Sequence, residues 1–353
     1  MRDIKSNMIK PLTVIAINDL ASYREFFAQD QRRACYGNSW TYITQACREL
    51  GLGYRYQTTD MLLSIGQYQG HYVIVRPLGQ LDGAFMDVVT QLHQQSGKPV
   101  FIKKLFPDQV EVLQHLGSFS PAAYYCPIRR LASPGAYPWA RPAFADDDTY
   151  PEMIFDLPVL LAYQTDLVSW FDQFQQAYIA SADEAYLKKL RKHFKQYRLS
   201  LKYFKQANVS FALRPCDDSM SKAVGDFLAD YFGPQRRDGV QAYRNMLAHS
   251  WAESGIHSFT AHVNGEDKPI GYACVEHLDE QSVGYYANIT ARLYPGLPEY
   301  FEIQVMTYLR EQGYRYVTNG GSETRNLYLF KRKAAPVEER YMSMLVFNGH
   351  SRT

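Results

Sequence analysis

The sequence predicts an α/β protein of two tandem modules, each a mixed α+β sheet with helices on both sides, and three observations carry that expectation. At 353 residues the chain is longer than one small core supports and suits two domains of ordinary size. Helix-like and strand-like runs alternate in the first half and alternate again, more clearly, in the second. A stretch rich in proline and aspartate separates the two halves. The modules are expected at 1–165 and 166–353, with no sequence repeat visible between them.

The elements follow in order. Trp40, Ile43, Ala46, Cys47 and Leu50 stand at helical spacing, and Gly51 and Gly53 stop that helix. "HYVIVRPLG" (71–79) reads as a buried strand, "FMDVVTQLHQQSG" (85–97) as a helix ended by glycine, "KPVFIKKL" (98–105) as a strand, and "PDQVEVLQHLG" (107–117) as a helix. From Leu131 to Asp156 four prolines and the triplet Asp146, Asp147 and Asp148 predict a loop, with the aspartates solvated or, alternatively, receiving a metal or an amine. The second half opens with a long basic helix at 184–207 and a strand, "VSFALRP" (209–215). Two helices follow, and then three strands across 256–290 that turn at "NGED" and "DEQ". A helix, "LPEYFEIQVMTYLREQG" (297–313), and a strand, "YRYVTNG" (314–320), come next, and "ERYMSMLVFN" (339–348) alternates like a final strand.

Composition excludes several function classes. A formal net charge of +2 argues against a protein that coats polyanions wholesale, so any nucleic-acid contact must be local. Five cysteines at irregular spacings, with no CxxC pair and no leader-like start, predict a reduced chain in the cytoplasm. No apolar run approaches the ~20 residues of a membrane helix. There is no phosphate-loop motif, no complete dinucleotide fingerprint and no HExxH, and the nine histidines do not fall at ligand spacings, so no metal is expected.

Three stretches carry a family resemblance. They are the basic helix running into "VSF", the segment from "GEDKPIGYACVEHL" to "YRYVTNGG", and the ending "GGSETRNLYLFKRKAAP" (320–336). Their order resembles the tandem GNAT-like acyltransferases, specifically the Fem-type peptidoglycan aminoacyltransferases, the related BioF2-like acyltransferases and the C-terminal domains of aminoacyl-phosphatidylglycerol synthases. The resemblance covers roughly residues 184 to 347. It implies an acyltransferase, with aminoacyl-tRNA as donor, a small molecule, peptide or cell-wall precursor as acceptor, and no tightly bound cofactor. Lys331 matches the family's Phe-Lys lysine and is expected beside the donor phosphate or the developing negative charge.

The residues suggest further roles. Acyl transfer to an amine needs a deprotonated nucleophile and a stabilised oxyanion, without any covalent enzyme intermediate. Gly320 and Gly321 would permit positive φ and close backbone approach, placing Ser322 and Glu323 against substrate. Glu323 would orient or deprotonate the acceptor, and Asn288 and Thr290, ending a strand, would position it. A hairpin followed by a solvated basic run is the plainer account of the same turn. For the donor, Arg292 and Gly296 stand in "RLYPGLP", where coenzyme A enzymes of this superfamily place an arginine or glutamine, a glycine and a second small residue. Here the glycine comes one place late and Pro298 has no amide hydrogen, which weakens an acyl-CoA reading. The helix bearing Lys188, Lys189, Arg191, Lys192, Lys195 and Arg198 opposite an apolar stripe suits the phosphates of tRNA, although a solvated surface helix has the same pattern. A non-catalytic module that binds tRNA or a partner is the third alternative.

Overall fold

The computed structural model describes residues 12–15, 19–49, 53–68, 70–117, 119–121, 151–162, 184–233, 243–244, 247–248, 255–322 and 325–349. The first half holds β1 (Thr13–Val14), α1 (Leu20–Gln29), α2 (Trp40–Glu49), β2 (Gly53–Gln57), β3 (Met61–Tyr68), β4 (His71–Gly79), α3 (Gly83–Ser96), β5 (Val100–Leu105), α4 (Pro107–Leu116) and β6 (Phe119–Pro121). The second holds β7 (Glu152–Asp156), α5 (Leu157–Ala162), α6 (Glu184–Gln206), β8 (Phe211–Pro215), α7 (Ser221–Phe232), β9 (Ile256–Val263), β10 (Gly271–Asp279), β11 (Ser282–Thr290), α8 (Leu297–Glu311), β12 (Tyr316–Thr318), α9 (Arg325–Arg332), β13 (Glu338–Arg340) and β14 (Ser343–Phe347).

These elements form two seven-stranded mixed sheets with the same plan, in the orders β1-β2-β3-β4-β5-β14-β6 and β13-β7-β12-β11-β10-β9-β8. In each, four strands run as an antiparallel meander, and a helix then crosses over to a fifth strand parallel to the fourth. These parallel pairs are β4 with β5 and β11 with β12. The sixth place in each sheet is taken by a strand distant in sequence from both of its neighbours. β14 lies between β5 and β6, and β7 lies between β12 and β13, each antiparallel to both neighbours.

The chain accordingly divides into two compact units, one of residues 1–31, 43–150 and 341–353, the other of residues 32–42 and 151–340. The main boundary falls at Tyr150/Pro151, ahead of the 165/166 expected, because β7 pairs into the second sheet. The expected loop 131–156 is likewise corrected at its end: Glu152–Asp156 is a strand buried at every position, shielded by a partner on either side. Residues 131–150, with the three aspartates, lie outside those described. The expected final strand is two strands, one in each sheet.

In the second unit one sheet face buries Phe259, Ala261, Ala273, Val275 and Val283 under α6 and α8. From α6 come Phe194, Tyr197, Leu201 and Phe204, the i, i+3, i+7 stripe read from sequence, and from α8 come Phe301, Val305 and Leu309. The helices approach closely at Gly296, the N-cap of α8, where φ is +80° and a Cβ would stand 1.8 Å from the Ser200 carbonyl oxygen. Segment 32–42 also belongs to this unit. The buried Glu276 carboxylate on β10 accepts from the backbone amides of Trp40 and Thr41 at 2.8 Å each, so it caps the start of α2.

Candidate functional site

The site forms where the parallel pair of the second sheet comes apart. β11 and β12 pair only from Ser282 with Tyr316 to Gly284 with Thr318, yet β11 continues to Thr290. A bulge in β11 beside Tyr285 turns it away, while the chain after β12 stays with β7 through Asn319 N–H to Met153 O (3.0 Å) and Met153 N–H to Gly320 O (3.2 Å). Tyr285 and Asn319 are thus the first residues past the last pair. In open α/β sheets ligands bind at the carboxyl ends of parallel strands, where such a parting leaves room.

Buried polar groups from four elements meet there. On α8, Glu302 is 3% exposed, with Oε1 accepting from Asn319 Nδ2 at 3.3 Å and Oε2 from the Tyr197 hydroxyl of α6 at 3.1 Å. Burial pushes the Glu302 carboxyl up to about 7, with help from the neighbouring Glu299. The hydrogen bonds of Tyr197 and Asn319 and the charge of Lys331 pull it back. Burial, and then the Glu302 charge, also hold the Tyr285 phenol well above its ordinary value. The Tyr285 hydroxyl, the Ser322 hydroxyl and the Oδ1 atoms of Asn319 and Asn288 are buried without a hydrogen-bond partner among the described residues. Buried polar atoms are nearly always paired, with protein, ordered water or ligand, so these four atoms mark a candidate polar site.

Lys331, near the end of α9, is part-buried, and its Nζ donates to Asn319 O at 2.6 Å and Gly321 O at 2.5 Å. The ammonium therefore fixes the turn after β12 and contributes its charge beside Glu302. The rest of the basic triplet is also engaged, since Arg332 pairs with Glu339 (2.7 Å) and Lys333 with Glu299 (3.5 Å). Of the two glycines, Gly320 alone has a positive φ, +62°, and the group pressed against it is the Tyr36 ring, 2.6 Å from where a Cβ would lie. Ser322 is fully buried, and Glu323 lies outside the described residues.

Asn288 and Thr290 sit on the α8 side of β11, by register with Ala273 and Gly271. Asn288 Nδ2 donates to Pro298 O at 3.3 Å, one helical turn, about 6 Å, before Glu302. Arg292 is exposed on the loop that leads to α8. In that loop the Leu297 amide is already bonded to Tyr294 O (3.2 Å), Pro298 has none, and the Ser200 carbonyl fills the space beside Gly296. On α6, Lys192, Lys195, Arg198, Lys202 and Lys205 are exposed, and none is in an ion pair among the described residues. The side chains of Lys188, Lys189 and Arg191 lie outside them.

Sequence reasoning missed Glu302, Tyr197 as a hydrogen-bond donor, Asn319 and Tyr285. One signal for Glu302 was present. It heads a 302, 305, 306, 309 stripe whose other members are Val305, Met306 and Leu309, a place where an apolar residue is expected.

No protein-family model matches the sequence, and no curated protein does. Solved structures do match, along nearly the whole chain. A conserved protein of unknown function from Bacteroides thetaiotaomicron VPI-5482 is similar at 14% identity and a TM-score of 0.63, covering 96% of this chain and 99% of that one. L-PGS from Bacillus licheniformis is similar at 11% identity and 0.54, over 97% and 95%. FemX is similar at 12% identity and 0.54, over 96% and 98%. The fold is tandem and GNAT-like. Among the described residues no helix is long and apolar enough to cross a membrane, and no group of three or more histidine, cysteine, aspartate or glutamate side chains is placed to hold a metal.

Proposed function

We propose that this tandem GNAT-like chain is an acyltransferase that moves an activated aminoacyl group from aminoacyl-tRNA onto an amine or hydroxyl of a small molecule, a peptide or a cell-wall precursor. The observation that carries the reading is the double use of α6. Its inner face sends Tyr197 to the buried carboxylate where β11 and β12 part, and its outer face displays five exposed cations, none of them in an ion pair among the described residues. A polyanionic donor gripped outside can thus present an acyl ester to a polar, water-poor site inside. Likeness in fold to L-PGS and FemX over 95% and 98% of those chains supports the same class. In this reading Asn288 and Thr290 position the acceptor, Gly320, Gly321 and Ser322 form the turn that borders the donor, and Glu323 follows it.

Lys331 steadies negative charge from its place on the Asn319 and Gly321 carbonyls. Because two amides that a pyrophosphate cradle would use are missing or engaged around Gly296, acyl-CoA is the weaker donor. Incubation with a pool of charged tRNA and, separately, with acyl-CoA, followed by mass spectrometry of amine and hydroxyl acceptors, tests the reading. The expected result is an aminoacylated product that ribonuclease pretreatment abolishes. Transfer from acyl-CoA without RNA overturns the donor, and salt-sensitive tRNA binding with no product from either donor reduces the chain to a binding module.

A further inference from the structure

We infer that α6 takes an unpaired stretch of the RNA donor, with the Tyr203 ring stacked on a base and Lys195, Arg198, Lys202 and Lys205 along the phosphates of the same strand. The inference rests on the tRNA reading above and deepens it by naming the kind of RNA segment that this helix binds.

The argument begins from what α6 keeps outside. Phe194, Tyr197, Leu201 and Phe204 turn into the core. At about 100° per residue, two stripes run along the other side. Lys195, Arg198, Lys202 and Lys205 form one, each about a turn from the next over roughly 15 Å of helix axis. Leu199 and Tyr203, following Lys192 and Gln196, form its neighbour, the line of the helix farthest from the core. Leu199 is 40% exposed and Tyr203 54%. Tyr203 has no ring contact or hydrogen bond among the described residues, whereas the exposed Tyr231 packs against Phe227 and Phe232.

A helix that only faces water intersperses acids with its bases, because opposite charges three or four residues apart support it and like charges destabilise it. α6 has one acidic residue, Glu184, at its first position, and its four stripe cations repel one another at those spacings. A polyanion relieves that repulsion. Charge alone does not separate duplex from single strand, but the ring does. In an A-form duplex the base faces are stacked on one another, and a side chain meets phosphates and groove edges. An unpaired base offers a free face to an aromatic ring. Phosphates along one stripe with bases turned onto the next is the layout of a sequence-tolerant single-strand site, and it needs no cavity, since both stripes are open to solvent. A lipid surface is the poorer fit. An interfacial helix buries a whole apolar face, whereas α6 commits its apolar stripe to the core and leaves Leu199 and Tyr203 to insert.

The test uses the whole protein and an unstructured RNA of about 12 nucleotides, alone or annealed to its complement, with fluorescence anisotropy read across a salt series. Tyr203→Ala is expected to weaken binding of the single strand about tenfold or more, to leave its salt dependence unchanged because no charge is removed, and to leave the duplex unaffected. Tyr203→Trp keeps a stacking face and is expected to bind the single strand like wild type. With charged tRNA, Tyr203→Ala is expected to raise KM at unchanged kcat, the mark of binding lost equally from ground and transition state. A side chain more than half exposed can be truncated without unfolding the chain, and an unchanged urea midpoint checks this. A single strand that wild type does not bind, or binds no more tightly than Tyr203→Ala does, overturns the inference. Equal weakening of single strand and duplex, or no rescue by Tyr203→Trp, overturns it as well. Loss of binding to phosphatidylglycerol vesicles in Tyr203→Ala with RNA affinity intact gives the face to a lipid surface instead. Reversal of Lys195, Arg198 and Lys202 to glutamate separates the two levels. If it weakens tRNA binding while Tyr203→Ala does nothing, the tRNA reading stands and the stacking falls; if it also leaves every RNA bound as before, both fall.

Discussion

At the scale of single residues, Glu302 and Gly320 show how the site strains the stability of the chain that carries it. A carboxyl held at about 7 keeps a proton in the folded protein that the unfolded chain, with its ordinary value of 4.5, has already released. The folded state therefore binds more protons across that interval, and stability falls as pH rises from about 4.5 through about 7, then levels off. The full difference is on the order of 3 kcal/mol for a group so completely buried. Urea unfolding at pH 5 and pH 8 is expected to show wild type losing stability over that range, while Glu302→Gln, which cannot ionise, loses less. Equal slopes for the two proteins would remove the buried charge from the account. Gly320 tests the turn that Lys331 holds. With φ at +62° and the Tyr36 ring 2.6 Å from a prospective Cβ, Gly320→Ala meets both an unfavourable backbone region and a clash. A loss of about 2 kcal/mol or more in unfolding free energy is expected, against about 1 kcal/mol for an alanine at Gly265, which also has positive φ but open space around it. Left-handed backbone alone already costs about 1 kcal/mol, so the excess at Gly320 over Gly265 measures the Tyr36 contact.

At the scale of elements, α6 joins surface to interior. Its apolar stripe was legible because a 3.6-residue period survives in the sequence. So were most of the helices and strands that alternate with it, since each buries its apolar residues at its own period. The strand Glu152–Asp156 was not legible, because its neighbours β12 and β13 lie far along the chain and no local pattern marks a strand covered on both faces. The candidate site was readable only in part. Lys331 and Gly320 stood in a motif, whereas Glu302, Asn319 and Tyr285 come together through the parting of two strands, a property of the register and not of any one segment. The outward cations of α6 make a prediction of their own. Reversing Lys195, Arg198 and Lys202 together to glutamate leaves the buried stripe untouched. It is expected to weaken tRNA binding by tenfold or more near physiological salt, and to make the dependence on salt shallower by about two to three released counterions. Filter binding across a salt series reads both quantities. Unchanged affinity would leave α6 as a solvated face.

At the scale of the whole molecule, the two sheets share one plan, and each takes as its sixth strand one distant in sequence from both of its neighbours. The first sheet cannot close from residues 1–150, because the place between β5 and β6 is reserved for β14. Leu345 and Phe347 of β14 are buried with Phe119, Ile102 and Val100 in the core of that unit. A break in sequence locality of this kind makes the first unit dependent on a strand far along the chain, with the loop-closure cost met only once β14 is in place. Removing residues 341–353 therefore deprives β5 and β6 of their shared partner, leaving two unpaired edges and an open apolar core. Amide exchange followed by mass spectrometry is expected to show β5 and β6 protected in the full chain and freely exchanging in the truncated one. β9, β10 and β11, whose partners all lie within 211–318, are expected to keep their protection. Uniform loss across both sheets would mean that the units fold as one cooperative body. Retained protection in β5 and β6 would mean that they pair with each other once β14 is gone, and that the exchanged strand is dispensable.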